Sequence, residues 1–103
     1  ERYEEALQQF EAGLRIAETP DLHAHMATAL VGLQRYTEAI SAAEAALALD
    51  KDQFEAHNAI GLAYYYLGNL GEAIRHFQAA IRIRPDHHQA YTNLGNAYFM
   101  AQS

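Results

Sequence analysis

The side chains best able to bind a metal or carry a proton are six histidines: His23, His25, His57, His76, His87 and His88. A zinc site needs imidazoles that converge on one point. Residues one or two apart on a helix diverge, so neither His87-His88 nor His23-His25 supplies such a site. His76 reads as solvent-facing, while His23 and His57, 34 apart, read as a structural pair at equivalent positions. Cysteine is absent, which removes thiolate metal sites, disulfides and cysteine nucleophiles together. Ser41 and Ser103 are the only serines, no Ser/His/Asp set has positional support, and there is neither a G-x-S-x-G turn nor a glycine-rich phosphate loop. The expectation is a segment with no catalytic residue, no metal and no cofactor.

The carboxylates read no differently. Glu4, Glu5, Glu11, Glu38, Glu44 and Glu72 are spread along helices at water-facing positions, and Glu72 stands three before Arg75, the spacing of an ordinary surface pair. Acids outnumber bases 13 to 7, a formal charge of −6 that argues against a nucleic-acid or anionic-membrane surface. The charge is uneven. From Glu1 to Glu55 there are 11 acids and 4 bases, net −7, and from Ala56 to Ser103 there are 2 acids and 3 bases, net +1. No apolar run approaches the roughly 18 residues of a membrane span. The chain therefore reads as soluble, with the cytoplasm slightly favoured among compartments that the residues leave open.

Whatever positions these side chains must be helical. Half of the residues are hydrophobic, yet alanine supplies much of that half and tryptophan is missing, so close-set helices rather than large aromatics should form the interior. Steps of three and four through Tyr3, Ala6, Leu7, Phe10, Leu14 and Ala17 mark one helix. Thr19-Pro20-Asp21 begins another: a cap oxygen, a proline at the first helical position and an acid at the positive end of the dipole. That helix carries His23, Met26, Ala27, Leu30 and Leu33, and Gly32-Leu33-Gln34-Arg35 holds the turn into a partner from Tyr36 to about Leu49. Asp50-Lys51-Asp52 is a break with a capping acid. Helices from Gln53 to about Leu67 and from Leu70 to about Ile83 follow, joined at Gly68-Asn69, where positive φ is tolerated. Arg84-Pro85-Asp86 stops the second and offers Asp86 as cap to a last helix, His87 to about Ala101, whose inner face would be Tyr91, Leu94, Gly95 and Tyr98.

Subtraction exposes a repeat. His57 and His23, Ala73 and Ala39, Ile74 and Ile40, Ala80 and Ala46, Gly95 and Gly61, and Tyr98 and Tyr64 each stand 34 apart, while Ala39 follows Ala6 by 33. The best copy runs from Phe54 to Pro85, where Ile60-Gly61, Tyr64, Ala73, Phe77, Ala80 and Pro85 fall in order. This stretch resembles a tetratricopeptide repeat (TPR), with His57 in the place of the family's tryptophan and His23 and Tyr91 at the equivalent positions. The resemblance implies an all-α fold, a right-handed α-solenoid of six helices in antiparallel pairs, stacked as a single domain over 1–103. Residues 1–19 would be the second helix of a partial repeat, 20–52 and 53–86 two full repeats, and 87–103 the first helix of another. Gly61 with Ala80, and Ala27 with Ala46, are expected where paired helices come closest. The opening within a helical pattern, without Met, reads as an excised segment.

Such repeats generally recognise partners on a concave face lined by first helices, which implies a protein-interaction scaffold for a peptide or partner segment. If Gly61 and Tyr64 face inward, the groove would be lined by Asn58, Leu62, Tyr65 and Tyr66, by Thr92, Asn93, Asn96 and Phe99, and by His25 and Thr28. An equal alternative has Tyr65 or Tyr66 packing on a neighbouring repeat. Chaperone-binding members resemble one another in a clamp of Lys, Arg and Asn on successive first helices, and this chain has no Lys or Arg on those stripes, so capture of an acidic chaperone tail is not expected. Asn93 and Asn96 resemble the asparagine pairs of the superhelix in O-linked glycosyl transferases, which raises the further alternative of the TPR arm of a larger enzyme. Self-association is a third reading, a homo-oligomer joined through Tyr3, Leu7, Phe10 and Leu14 of the first helix and Tyr91, Leu94 and Tyr98 of the last.

Overall fold

The computed structural model describes residues 2–102, and three of its helices begin where the chain supplies a side-chain acceptor. The order is α1 (Arg2–Ile16), α2 (Pro20–Gly32), α3 (Tyr36–Leu49), α4 (Phe54–Tyr66), α5 (Leu70–Ile83) and α6 (His88–Ala101). Thr19 Oγ1 accepts from the Leu22 N–H at 3.1 Å, with Pro20 behind it at the first helical position. Asn69 Oδ1 accepts from the Glu72 N–H at 3.4 Å and caps α5. Two expected caps differ. Gln53 caps α4 through the Ala56 N–H at 2.8 Å, while Asp50 uses its carboxylate on the Asp52 N–H, 3.0 Å away. The capping position of α6 is His87, which makes no side-chain cap bond; Asp86 stands one residue too early.

The two hairpin turns are the same object 34 residues apart. Arg35 N–H donates to Leu30 O and Asn69 N–H to Tyr64 O, each at 2.9 Å, and the residue before each donor is left-handed. Gly68 takes that place with φ +84°, and Gln34 with φ +63°. Gly32 does not serve the turn; it ends α2.

Successive helices pack on one another, and in addition α2 packs on α4 and α4 on α6. Among the described residues the second helices α1, α3 and α5 do not pack together, so the stack curves with α2, α4 and α6 on its inner side. The result is elongated, 43 × 26 × 20 Å. Its core is largely alanine: Ala24, Ala27, Ala39, Ala43, Ala46, Ala56 and Ala63 are fully buried. Ala27 and Ala46 share one cluster, as small residues at a close approach should. Gly61 meets a different partner from the one expected. A Cβ there would lie 2.6 Å from Phe77 Cε1, so the glycine is the notch for the Phe77 ring, while Ala80 packs with Phe54 and Ala90.

The residues replacing the family's tryptophan tie down the loop before their helix. His57 Nε2 donates to Lys51 O at 2.9 Å, and Tyr91 OH to Pro85 O at 2.7 Å, again 34 residues on. His23 instead meets Glu18 Oε1 at 2.8 Å.

Three expected faces are corrected. His76 is buried, because the arc of α5 through Ala73, Phe77 and Ala80 also contains position 76. On α6 the buried face is Ala90, Asn93 and Ala97, the side turned to the preceding repeat. Of the seven residues expected to be left uncovered for self-association, only Tyr3, Tyr91 and Tyr98 are exposed; Leu7 is buried in the main cluster and Phe10, Leu14 and Leu94 are half-buried. Second helices use their Leu7-type position against the following repeat, which is where Leu7 goes.

Candidate functional site

The inner face divides into a wide polar cleft and a small apolar depression. The cleft, about 470 Å³, is bounded by Asp21, His25 and Thr28 of α2, by Gln53, Phe54, Glu55 and Asn58 around the start of α4, and by Arg84 and His87 of the α5–α6 loop. The depression, about 40 Å³, is walled by Leu62, Tyr65 and Tyr66 of α4, Phe77 of α5, and Asn93 and Asn96 of α6.

Hydrogen bonds across the cleft join one first helix to the next. His25 Nδ1 and Glu55 Oε1 are 2.8 Å apart, Thr28 Oγ1 donates to Glu55 Oε2 at 2.9 Å, and Gln53 Nε2 donates to Asp21 Oδ1 at 2.9 Å. Between α4 and α6, Asn93 Nδ2 donates to Asn58 Oδ1 at 3.0 Å, and Gln89 Nε2 donates to Asn93 Oδ1 at 3.1 Å. Asn93 is accordingly a buried strut rather than an open donor. Ladders of this kind fix the spacing of the helices and leave exposed amides and hydroxyls along the surface.

Of the ten groove residues expected from sequence, eight line one concavity or the other: His25, Thr28 and Asn58 the cleft, and Leu62, Tyr65, Tyr66, Asn93 and Asn96 the depression. Thr92 and Phe99 line neither. Thr92 Oγ1 is turned back onto His88 O, and Phe99 is 70% exposed. Tyr66 also stacks on Tyr36 of the preceding hairpin, ring centroids 5.3 Å apart, and Tyr65 packs with Leu94 and Ala97, so both tyrosines serve packing as well. Sequence reasoning missed Phe54, Arg84 and His87. The Arg84 guanidinium lies 4.6 Å over the Phe54 ring, a cation–π contact that holds a cation at the cleft wall. Its signal was present in Arg84-Pro85, but that junction also stops a helix.

The group with the largest change in acidity, His76, lies outside this face. His57, by donating its Nε2 proton to Lys51 O, is left with Nδ1 as an acceptor; His76 Nδ1–H donates to it across 3.1 Å. His76 Nε2 then accepts from Arg75 Nη2 at 3.3 Å. Both rings are neutral in this arrangement. Burial, then the Arg75 charge and His57, push the His76 pKa down to about 4. The pair is packed under Tyr64 between α4 and α5, where it bonds helices. No group of three or more histidines and carboxylates is placed to hold a metal among the described residues, and no helix there is long and apolar enough to cross a membrane.

Comparison with known proteins follows the same period. The TPR-repeat family model matches residues 27–68 and again 61–102. A search of curated proteins finds no match. Among solved structures, the first TPR domain of human RPAP3 superposes with a TM-score of 0.92 at 24% identity, covering 97% of this chain and 80% of that one. The second TPR domain of human RPAP3, in complex with the HSP70 peptide SGPTIEEVD, gives 0.84 at 30% identity over 93% of this chain and 81% of that one. YrrB, a TPR protein with an unusual peptide-binding site, gives 0.81 at 31% identity over 98% of this chain and 53% of that one.

Proposed function

The chain belongs to the tetratricopeptide repeat family, and on that premise we propose that it is a non-catalytic protein-interaction scaffold whose concave face takes an extended peptide or partner segment. The observation that carries this reading is the cleft of about 470 Å³ whose walls offer the Arg84 cation, the Asn58 amide and His25 beside the Phe54 ring. Extended peptides are held by hydrogen bonds to their backbone and by pockets for alternate side chains, and these walls supply donors, acceptors and an aromatic surface. That related domains hold peptides supports the same class of partner.

The chemistry here differs from a row of cations. Arg84 comes from an inter-repeat loop, and Asp21 and Glu55 line the same cleft, so the partner should carry groups of both signs. Selection of displayed peptides against the 103-residue chain tests the reading. Binders should lose affinity about tenfold or more with Arg84→Ala or Asn58→Ala, and keep it with Glu44→Ala on the outer side. Equal affinity in all three variants, or a loss only with Glu44→Ala, contradicts the proposal.

A further inference from the structure

The imidazoles whose nitrogens converge are not the sequence neighbours but His57 of α4 and His76 of α5, 19 positions apart. Their Nδ1 atoms stand 3.1 Å from each other, and the ring centres 5.3 Å, close to the nitrogen separation plus the radius of each ring. The two nitrogens therefore lie nearly on the line between the rings, each aimed at the other.

Each far nitrogen faces an acceptor. His57 Nε2 donates to Lys51 O at 2.9 Å, which leaves its Nδ1 lone pair pointing at His76; Glu72, four residues before His76 on the same face of α5, places Oε1 3.9 Å from His76 Nε2. A backbone carbonyl behind one imidazole and a carboxylate behind the other is the backing that orients metal-holding histidines. One proton, on His76 Nδ1, occupies the space between the rings. Moving it to Nε2, towards Glu72, frees both Nδ1 lone pairs and leaves each ring neutral. Arg75 Nη2 donates to that Nε2 at 3.3 Å, but its side chain is largely exposed and already bonds Glu72 at 2.6 Å, so it can turn out to water.

Coordination number decides the metal. Zinc takes four ligands in a tetrahedron, and no third His, Asp or Glu joins this pair among the described residues. Two neutral imidazoles in line are instead a donor set for copper(I), a closed-shell ion satisfied by two collinear ligands. Its single charge is also opposed less by the neighbouring Arg75 guanidinium than a divalent charge would be.

We propose that His57 and His76 bind copper(I) between their Nδ1 atoms, forming a two-coordinate clip that joins the helices of the second complete hairpin. At about 2 Å per metal–nitrogen bond, the pair opens by about 1 Å to admit the ion. The first complete hairpin has no such site, because Ala42 stands where His76 does. The site lies off the concave cleft and stands or falls separately from the peptide-binding reading.

Titration of the untagged 103-residue chain with the copper(I)–acetonitrile complex, without oxygen and in competition with bicinchoninate, should show one ion bound per chain. The thermal midpoint should rise with it, because an ion held only by the folded state adds stability. In imidazole nitrogen NMR of the wild type, the Nδ1 signals of His57 and His76 should move while both Nε2 atoms remain protonated. His57→Gln and His76→Gln should each weaken binding at least about tenfold, and His88→Gln should leave it unchanged. Unmoved Nδ1 signals overturn the proposal, and so does binding that survives His57→Gln but not His88→Gln. Zinc bound as tightly as copper(I) contradicts the two-coordinate geometry. Should either variant of the pair lose its helicity by circular dichroism, the wild-type spectrum decides alone.

Discussion

The two complete hairpins, α2/α3 and α4/α5, follow one backbone plan 34 residues apart and fill it with different side chains. In the second, a glycine without a side chain faces a full aromatic ring, Gly61 against Phe77; in the first, the same two places hold Ala27 and Ala43, both fully buried. The volume is shared rather than concentrated. The outer groove shows the same contrast. Arg75 and His76 occupy the positions that Ser41 and Ala42 hold one repeat earlier, and over α2 the smaller pair leaves a cleft of about 370 Å³ lined by Leu7, Met26, Leu30 and Ala45 among others. Helix placement follows from the period, whereas rigidity and acidity depend on a few side-chain sizes within it.

Breaking the aromatic hairpin should show the difference most. Phe77→Ala removes a fully buried ring opposite a residue that cannot grow to meet it, and should cost about 3–5 kcal/mol in urea unfolding. No single alanine substitution is possible at its counterpart, already Ala43.

The next effect is one of acidity. The folded state holds His76 neutral down to about pH 4, while in the unfolded chain it takes up a proton near 6.5. The unfolded state therefore binds more protons between those values, and stability falls as pH drops from about 6.5 towards 4, by about 1–3 kcal/mol, and flattens below. His76→Gln should remove that component, read as the difference between the two proteins' pH profiles. The alanine hairpin, with Ala42 in this place, has no counterpart to the effect.

Gly61→Ala should follow at about 1–2 kcal/mol of destabilisation, because the new Cβ would stand 2.6 Å from the Phe77 ring. The same change at Gly95 meets open space and should stabilise slightly through helix propensity. Smallest is Gln34→Gly. Left-handed backbone costs glutamine more than glycine, so this change should raise the thermal midpoint, with a gain of about 0.4–1 kcal/mol; a neutral or lower midpoint would show that the two turns differ after all.

The helices and their pairing were legible because alanine spacing, caps and the 34-residue step all agree, and α3 and α5 begin and end where the sequence indicates. Faces were harder to read. His76 was misplaced because polarity was taken for exposure, although its place in the buried arc of α5 and a hydrogen bond to His57 outweigh it. Asn93 lies on a first helix, but its amide is spent on Asn58 and Gln89, a pairing that depends on distances between helices. Arg84 escaped because cleft walls contributed by a loop leave no periodic trace. Leu7 was assigned to the wrong neighbour, since both sides of a middle helix in a stack are apolar and spacing alone does not say which side is covered.

On the reading proposed above, partners bind the inner face of the first helices. Amide chemical-shift mapping of the chain with a selected peptide tests it most directly. A continuous patch over His25, Thr28, Asn58 and Arg84, with little change at Glu38, Glu44 and Glu72, is the predicted result. Shifts confined to α3 and α5 would contradict it.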